Sequence, residues 1–227
     1  MADNWELVSE PMAYGDPNFF QDDDGRVYLY HGCSNSEPLY GLEMERNTLM
    51  PKGEQKHLIT NDQHRKGWER QDDDNINIEK APWLEGLWMT KYANRYYLQY
   101  SAPGTTCNVY ADAVYTADSP LGPFTCQAHN PFSFKPGGFI TGAGHGSTFK
   151  DKYGNWWHIA TMRVSVRHKF ERRLGLWPAG FDDDGVFYCN TRFGDWPLRL
   201  PQNAWNPWLD PFAGWMLLSY NKPVTAS

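Results

Sequence analysis

Three ionisable side chains occupy the same place in a repeated sequence pattern. Asp16, Glu85 and His145 each open a stretch that runs through an apolar segment into a polar turn and then into a second, aromatic-rich segment. Each precedes a turn-prone residue by nine positions, in the pairs Asp16 and Gly25, Glu85 and Asn94, and His145 and Gly154. Carboxyl and imidazole groups are the usual proton-transfer groups of proteins, so a place where all three meet is a candidate acidic site.

Taken singly, each of these residues also has an ordinary structural explanation. Asp16 precedes a proline and is a suitable turn former, and Glu85 precedes a glycine and fits an exposed loop. His145 lies between two glycines and fits a hydrogen-bonded structural histidine. The shared register of the three favours a common site over three unrelated roles.

The elements around these residues form a repeat of about four strands. Each hairpin is followed by a further strand candidate, in the order PLYGLEM, NVYADAVYTAD and RRLGLWPAGF, and then by a short outer segment such as FTCQ or VFYCN. The copies recur after 69 and then 60 residues. Four antiparallel strands per unit at this spacing are typical of propeller blades. We therefore predict an all-β chain, a partial β-propeller of about three four-stranded blades.

The prediction places one propeller-type domain over residues 1–227, with blades at roughly 5–70, 75–130 and 135–220. The innermost strand of each blade runs along the central axis, so equivalent positions at the starts of these strands converge at one mouth of the channel. The pattern thus predicts that Asp16, Glu85 and His145 meet in space.

Composition narrows the choice of partners. The net charge of −6 disfavours nucleic acid, which needs clustered Lys and Arg. The sequence has no run of 18 apolar residues, so no membrane span is expected, and its first ten residues lack the pattern of a signal peptide. Cellular location stays open. Aromatic residues make up 16% of the chain and suit either a β core or stacking on sugar rings.

Two further groups of residues are expected to be structural. The four cysteines show no CxxC spacing, which predicts buried free thiols or at most one disulfide and argues against zinc. The run Asp72-Asp73-Asp74 is interpreted as a solvated loop, because adjacent like charges repel.

Four stretches resemble the family 43 glycoside hydrolases, which are five-bladed propellers that act on arabinose- and xylose-containing polymers. They lie between Tyr14 and about Tyr220 and read DPNFFQDDDGRVYLYHGCS, LEGLWMTKYANRYYLQYSAPGT, VYADAVYTADSPLGPF and ITGAGHGSTFKDKYGNWWHIATMR. The resemblance implies an inverting glycosidase of the α-L-arabinofuranosidase or β-xylosidase type, acting on arabinoxylan or arabinan oligosaccharides of plant cell walls.

The resemblance also implies roles for individual residues. Glu85 is similar in position to the family's general acid, and Asp16 to the aspartate that tunes the pKa and orientation of that acid. His145 is similar to an axial histidine beside a bound calcium ion or its waters. Trp88 would stack on a sugar, His145 would also contact the substrate, and Arg173, or its neighbour Arg172, would bind sugar hydroxyls.

One part of the family pattern is missing from the sequence. The family's general base is an aspartate of the first blade, and only about 15 residues precede Asp16. The resemblance therefore implies that the N-terminal blades are lacking, which leaves a catalytically weak or inactive carbohydrate-binding fragment as the alternative function. An open arc of three blades leaves the outer faces of the first and last blades without a neighbouring blade, which predicts a homodimer that covers them. The residues expected on these faces are Phe19, Tyr28 and Tyr30 at one end and Trp205, Trp208, Trp215 and Leu217 at the other.

Overall fold

The computed structural model describes residues 14–164, 167–192 and 200–206. Strands account for most of the regular structure, and the only helix in these ranges is a 3₁₀ turn at Gly67–Glu69. Within the same ranges no helix is long and apolar enough to cross a membrane.

Three antiparallel four-stranded units follow one another along the chain. The first contains β1 (Asn18–Gln21), β2 (Val27–His31), β3 (Leu39–Met44) and β4 (Pro51–Ile59). The second contains β5 (Glu85–Tyr92), β6 (Arg95–Ala102), β7 (Ala111–Ala117) and β8 (Thr125–Cys126). The third contains β9 (Thr141–Lys150), β10 (Trp156–Arg163), β11 (Arg172–Phe181) and β12 (Phe187–Cys189).

This architecture confirms the predicted all-β partial propeller. In each unit the strands pair in chain order, as the strands of a propeller blade do. A parallel bridge between Ala111 and Ala143 joins the second blade to the third. The first and second blades meet through the antiparallel bridge between Ser34 and Leu84. The exact limits of the blades stay a prediction, since the first and last include residues outside the described ranges.

One turn sequence recurs at one end of the blades. Asp22, Asp151 and Asp182 each begin a five-residue turn in which the backbone N–H of the fourth residue donates to the aspartate carbonyl. The fourth residue is glycine in every copy, with φ between +74° and +87°. This left-handed conformation is easily adopted by glycine, which explains the repeated Asp-x-x-Gly pattern.

The hairpin between β5 and β6 differs from the other inner hairpins. It closes through only two residues, Ala93 and Asn94, with φ of 47° and 63°. Positive φ at both central residues is the mark of a tight type I′ hairpin, which suits the right-handed twist of the flanking strands. Asn94 is therefore not the structural counterpart of Gly25 and Gly154.

The hydrophobic core lies between successive blades. Between the first two blades it includes Tyr28, Tyr30, Leu39, Leu84 and Leu98, all almost completely buried. Between the second and third it includes Tyr97, Val114, Phe132, Ala179 and Phe187. Face-to-face packing of sheets in this way fixes the inner strands side by side.

This packing corrects the prediction for the exposed end face. Tyr28 and Tyr30 are 1% and 0% exposed, so they are core residues and cannot form a dimer surface. Tyr30 donates its hydroxyl to the carbonyl of Pro120 in the second blade. Phe19 is half exposed, and Trp205 is partly buried against Trp157. Trp208, Trp215 and Leu217 lie outside the described residues, and the homodimer stays a prediction.

A buried charge joins the first two blades. The Asp22 side chain is 3% exposed and accepts hydrogen bonds of 2.5 Å from both Lys91 Nζ and Tyr96 OH across the blade interface. Burial raises the pKa of Asp22, but the hydrogen bonds from Lys91 and Tyr96 outweigh this effect and leave the pKa below its ordinary value.

We predict that Asp22→Asn destabilises the fold by about 1–3 kcal/mol at neutral pH, because a buried charged acceptor is lost. The folded-state pKa of Asp22 is depressed, so its contribution is complete above the unfolded pKa of about 4 and disappears as the pH falls through the lower folded value. Urea unfolding of both proteins from pH 7 to pH 2.5 measures the difference. Asp24→Asn, in the same turn but exposed, serves as the control. A stability difference between wild type and Asp22→Asn that persists at pH 2.5 would contradict the assignment.

Candidate active site

The starts of the inner strands bring the predicted site residues together. Asp16 lies two residues before β1, Glu85 is the first residue of β5, and His145 lies inside β9. His145 Nε2 is 4.0 Å from Asp16 Oδ2. Side-chain ligand atoms of Asp16 and Glu85 lie within 4.8 Å of each other. Residues that are 60 or more positions apart in sequence thus share one site.

The register of Glu85 differs from the expectation. Positive φ occurs at Asp16 (46°), at Gly86 (63°) and at His145 (57°), so Gly86 is the backbone counterpart of the other two. In β9 and in β5 the strand pairing is interrupted at this place by a bulge. Glu85 therefore lies one residue before the backbone position that Asp16 and His145 occupy. The nine-residue count to Asn94 suggested otherwise, because the β5–β6 turn is shorter than the other two inner turns.

Close packing explains why His145 is flanked by glycines. A Cβ atom on Gly144 would lie 2.6 Å from the ring of Tyr110. A Cβ on Gly146 would lie 2.4 Å from both the Asp112 carboxylate and the His158 ring. Real Cβ contacts are never this short, so side chains from β7 and β10 fill the space that the glycines leave.

Asp112 holds the bulge that carries His145. Its carboxylate is 1% exposed and accepts hydrogen bonds of 2.9 Å from the backbone N–H groups of His145 and Gly146. It also accepts the Ser101 hydroxyl at 2.5 Å and contacts His158 Nε2 at 3.0 Å. Four donors around one buried carboxylate form a fully satisfied polar network, which fixes the bulge rigidly.

Tyr110 connects Glu85 to His145. Its hydroxyl donates to Glu85 Oε1 at 2.8 Å and lies 3.3 Å from His145 Nδ1. Because the hydroxyl has one proton and gives it to Glu85, the second contact requires a proton on Nδ1. Burial, and then the nearby Glu85 carboxylate, raise the pKa of Tyr110 well above 10, so the hydroxyl stays a neutral donor.

Cys33 completes the surroundings of Glu85. It follows β2, its side chain is exposed, and its Sγ donates to Glu85 Oε2 at 3.4 Å. Burial of the sulfur and the carboxylates of Glu85 and Asp16 raise the pKa of Cys33 to about 12. All four cysteines are free, with Cys107 buried and Cys126 and Cys189 partly buried. The prediction of free thiols is met. The prediction that they are buried is wrong for Cys33, which is exposed.

Trp88 and Arg173 border two clefts that share His145. Trp88 is partly buried, and its indole N–H donates to the carbonyl of Thr148 at 2.9 Å. It lines a small cleft of about 170 Å³ with Asp16 and His145. Arg173 lines a wider, open cleft of about 640 Å³ with Arg172, Leu174 and His145. Their proposed roles in sugar binding stay predictions, although the geometry places both beside the site.

Oxygen ligands are sparse around His145 in the described part of the chain. Calcium takes six to eight oxygen ligands, and the carboxylate beside the imidazole in the described ranges is that of Asp16, at 4.0 Å. A calcium ion that contacts His145 through water, or that takes the histidine as one ligand, stays a prediction.

The acidic run at Asp72–Asp74 is exposed, as expected of a solvated loop, and one of its carboxylates is also hydrogen-bonded. Asp73 accepts a hydrogen bond of 2.6 Å from the backbone N–H of Asn108 and lies 3.5 Å from Arg163 Nη1. Asp73 thus ties this loop to the segment that leads into β7 and to the end of β10.

Sequence reasoning missed the residues that support the site from neighbouring strands. Tyr110, Asp112 and Ser101 lie on or next to β6 and β7, and Cys33 follows β2. The available signal was Asp112 in the apolar stretch ADAVYTA, since a carboxylate inside a buried strand needs partners.

The starts of the inner strands bring two carboxylates together, and glycoside hydrolases use such pairs of carboxylates. A model of the glycosyl hydrolases family 43 matches residues 7–187. The chain belongs to this family.

Curated relatives agree with this placement. The β-D-galactofuranosidase xynD of Aspergillus niger is 29% identical over 154 residues, which cover 63% of this chain and 38% of the relative. A xylosidase/arabinosidase of Bacteroides ovatus is 28% identical over 135 residues, which cover 49% of this chain and 39% of the relative. The chain thus spans less than half the length of either relative.

Solved structures show the same fold. An endo-1,4-β-xylanase from Bacteroides thetaiotaomicron superposes with a TM-score of 0.67 at 24% identity, covering 83% of this chain and 62% of that one. A xylan β-1,4-xylosidase from Bacillus halodurans superposes with a TM-score of 0.62 at 21% identity, covering 86% of this chain and 38% of that one.

We predict that Asp112→Asn destabilises the protein by at least about 2 kcal/mol, because an amide cannot accept from all four donors and leaves buried groups unpaired. Chemical denaturation at neutral pH measures the loss. Asp118→Asn is the matched control, since Asp118 is exposed just beyond the end of the same strand. Equal unfolding midpoints for the two variants would show that Asp112 does not hold the bulge.

Proposed function

We propose that this chain supplies the general acid of an inverting glycosidase site, and that Glu85 is this general acid. The observation that supports this is the position of Glu85 at the start of β5, where Tyr110 donates to one of its oxygens and an oxygen of Asp16 lies within 4.8 Å. A general acid must keep a fixed direction towards the glycosidic oxygen, and the hydrogen bond from a permanently neutral tyrosine supplies that direction.

In this proposal Asp16 is a partner of Glu85 and not the general base. Inverting enzymes keep acid and base about 6.5–9.5 Å apart so that a water molecule fits between base and sugar. The oxygens of Asp16 and Glu85 lie within 4.8 Å, too close for that water. The general base is therefore another carboxylate, from elsewhere in the protein or from a second copy in the proposed homodimer.

The proposed substrates are α-L-arabinofuranosides and β-D-xylosides of plant cell-wall arabinoxylan or arabinan. A small cleft bordered by Trp88 offers an aromatic face for sugar C–H groups. Arg173, or Arg172 beside it, offers donors to hydroxyl groups from the adjoining cleft. The names of the two curated relatives add β-D-galactofuranosides as a third substrate to be tested.

A second candidate function is carbohydrate binding without turnover. The close spacing of Asp16 and Glu85 favours it, because these two carboxylates alone do not make an acid–base pair. Such a protein would bind the oligosaccharides in the same cleft and release them unchanged.

Glu85→Gln distinguishes the candidates. On oligosaccharides with poor leaving groups we expect kcat/KM to fall at least about 10²-fold, because the amide cannot donate the proton, while aryl glycosides with good leaving groups lose less. Rates are measured on arabino- and xylo-oligosaccharides and on the aryl arabinofuranoside, xyloside and galactofuranoside. Glu45→Gln, an exposed site on the first blade, is the control. Unchanged oligosaccharide rates would remove Glu85 as the acid, and binding without any turnover in the wild type would select the second function.

Calcium is proposed only as a hydrated ion near His145, consistent with the sparse oxygen ligands there. We predict that removal of calcium with EGTA lowers the thermal unfolding midpoint, and that calcium, but not magnesium, restores it. Differential scanning fluorimetry measures this, and His145→Gln should abolish the response. An unfolding midpoint unaffected by exhaustive chelation would count against the ion.

A further inference from the structure

A second cleft, termed the distal cleft, lies at the opposite end of the blades from the candidate active site. It measures about 650 Å³ and lies between the second and third blades, where β5 ends and where β9 turns into β10. Glu85 is the first residue of β5, and Tyr92, which lines the distal cleft, is the last. Seven residue steps along this strand span about 23 Å, so the two sites are separate.

Aromatic side chains from both blades line the distal cleft. Tyr92 and Phe181 stack with their ring centres 4.0 Å apart, and Trp156 meets both rings edge-on at 6.3 Å and 5.2 Å. Trp205 stacks on the buried ring of Trp157 at 5.7 Å. Tyr92, Trp156, Phe181 and Trp205 are all partly exposed. Because these contacts hold the rings in place, a ligand that packs on them would cost little side-chain entropy.

A buried polar side chain fixes the segment that brings Trp205 to the distal cleft. Asn155 is 5% exposed, and its Oδ1 accepts the backbone N–H of Trp205 at 2.7 Å. Its Nδ2 donates to the carbonyl of Asn203 and to Asp151 Oδ2, both at 3.0 Å. The tryptophan is thus attached to the β9–β10 turn by packing and by hydrogen bonds.

Polar groups lie beside the aromatic rings. The Asp183 side chain is exposed and has no hydrogen bond or ion pair within the described part of the chain. A Cβ atom on Gly180 would lie 2.5 Å from the Tyr188 hydroxyl, so glycine leaves the room that this hydroxyl occupies. Burial, and then the nearby Asp182 and Cys189, raise the pKa of Tyr188 to about 12, so its hydroxyl stays neutral.

The charges of the distal cleft indicate which ligands it can take. Asp182 and Asp183 line it, and the described residues that line it include no lysine or arginine. Anionic ligands are therefore disfavoured. Sugar rings present C–H groups that pack on aromatic faces and hydroxyl groups that donate to carboxylates. A neutral oligosaccharide suits this combination of groups.

We propose that the distal cleft is a second carbohydrate-binding site, which takes a stretch of the same neutral polysaccharide that is cleaved at Glu85. The identity of the ligand rests on the proposed function, whereas binding itself is measured without hydrolysis. A polymer held at a second site of the same chain has a raised effective concentration at the first. The distal cleft therefore lowers the KM for long substrates and has no effect on substrates of a single sugar.

Chemical labelling of carboxyl groups tests the site without a variant. The wild-type chain is treated with a carbodiimide and glycine ethyl ester, and the labelled peptides are measured by mass spectrometry. Xylohexaose or arabinohexaose should protect Asp183 from labelling, because the sugar covers its carboxylate. Asp24, an exposed aspartate of the corresponding turn in the first blade, should be labelled equally with and without the sugar.

Two substitutions test the polar and the aromatic part of the distal cleft. Asp183→Ala and Trp205→Ala should each weaken one step of the calorimetric titration with xylohexaose at least about fivefold, because each removes a contact with the sugar. Both should raise the KM for soluble arabinoxylan and leave rates on aryl glycosides unchanged. Asp24→Ala is the matched control and should behave as the wild type. Asp183 is exposed, so Asp183→Ala decides the test if Trp205→Ala does not fold.

The outcomes separate this proposal from the proposed function. Unchanged labelling of Asp183 with both oligosaccharides, or an Asp183→Ala titration identical to that of the wild type, overturns the second site. Protection of Asp183 by spermidine but by neither sugar also overturns it, because the distal cleft then binds cations. If the sugars protect Asp183 in a protein that hydrolyses no glycoside, the second site stands and the glycosidase proposal fails. Hydrolysis without protection gives the reverse result.

Discussion

The buried carboxylate of Asp112 is the interaction on which the site depends. It lies on β7 of the second blade and accepts backbone N–H groups of the bulge in β9 of the third. The strand ladder is interrupted there, so without Asp112 the Gly146 N–H would lose its acceptor and the His145 N–H would keep only the Ser101 hydroxyl, at 2.7 Å. One carboxylate therefore both satisfies the irregular backbone and joins two blades at the point where His145 enters the site.

The glycines of the Gly-His-Gly stretch follow from this constraint. Asp112 and His158 reach the bulge only because Gly146 has no side chain, and Tyr110 reaches it only across Gly144. The same tyrosine then orients Glu85. The positions of His145 and Glu85 are thus set by a single packed group of side chains. A substitution in that group would therefore affect both residues.

The fold and the meeting of the three residues were predictable from the sequence, because a strand–turn–strand stretch that begins near an ionisable residue repeats at the spacing of blades. The register of Glu85 was not, since the β5–β6 hairpin closes through a shorter turn than its counterparts. Burial of Tyr28 and Tyr30 was not predictable either. The sequence shows an aromatic residue in a strand but does not show whether that face of the sheet packs against a neighbouring blade or is exposed to solvent. The sequence analysis did not find the supporting groups on β6 and β7. Their role depends on which strands are neighbours in the fold, and a local sequence pattern does not show this.

The separation of carboxylates limits what this chain can do with the groups described. The side-chain oxygens of Asp16 and Glu85 lie within 4.8 Å of each other, closer than the separation of about 6.5–9.5 Å that lets an inverting site hold a water beside the sugar. An inverting reaction would therefore need a further carboxylate, whereas binding of a sugar would not.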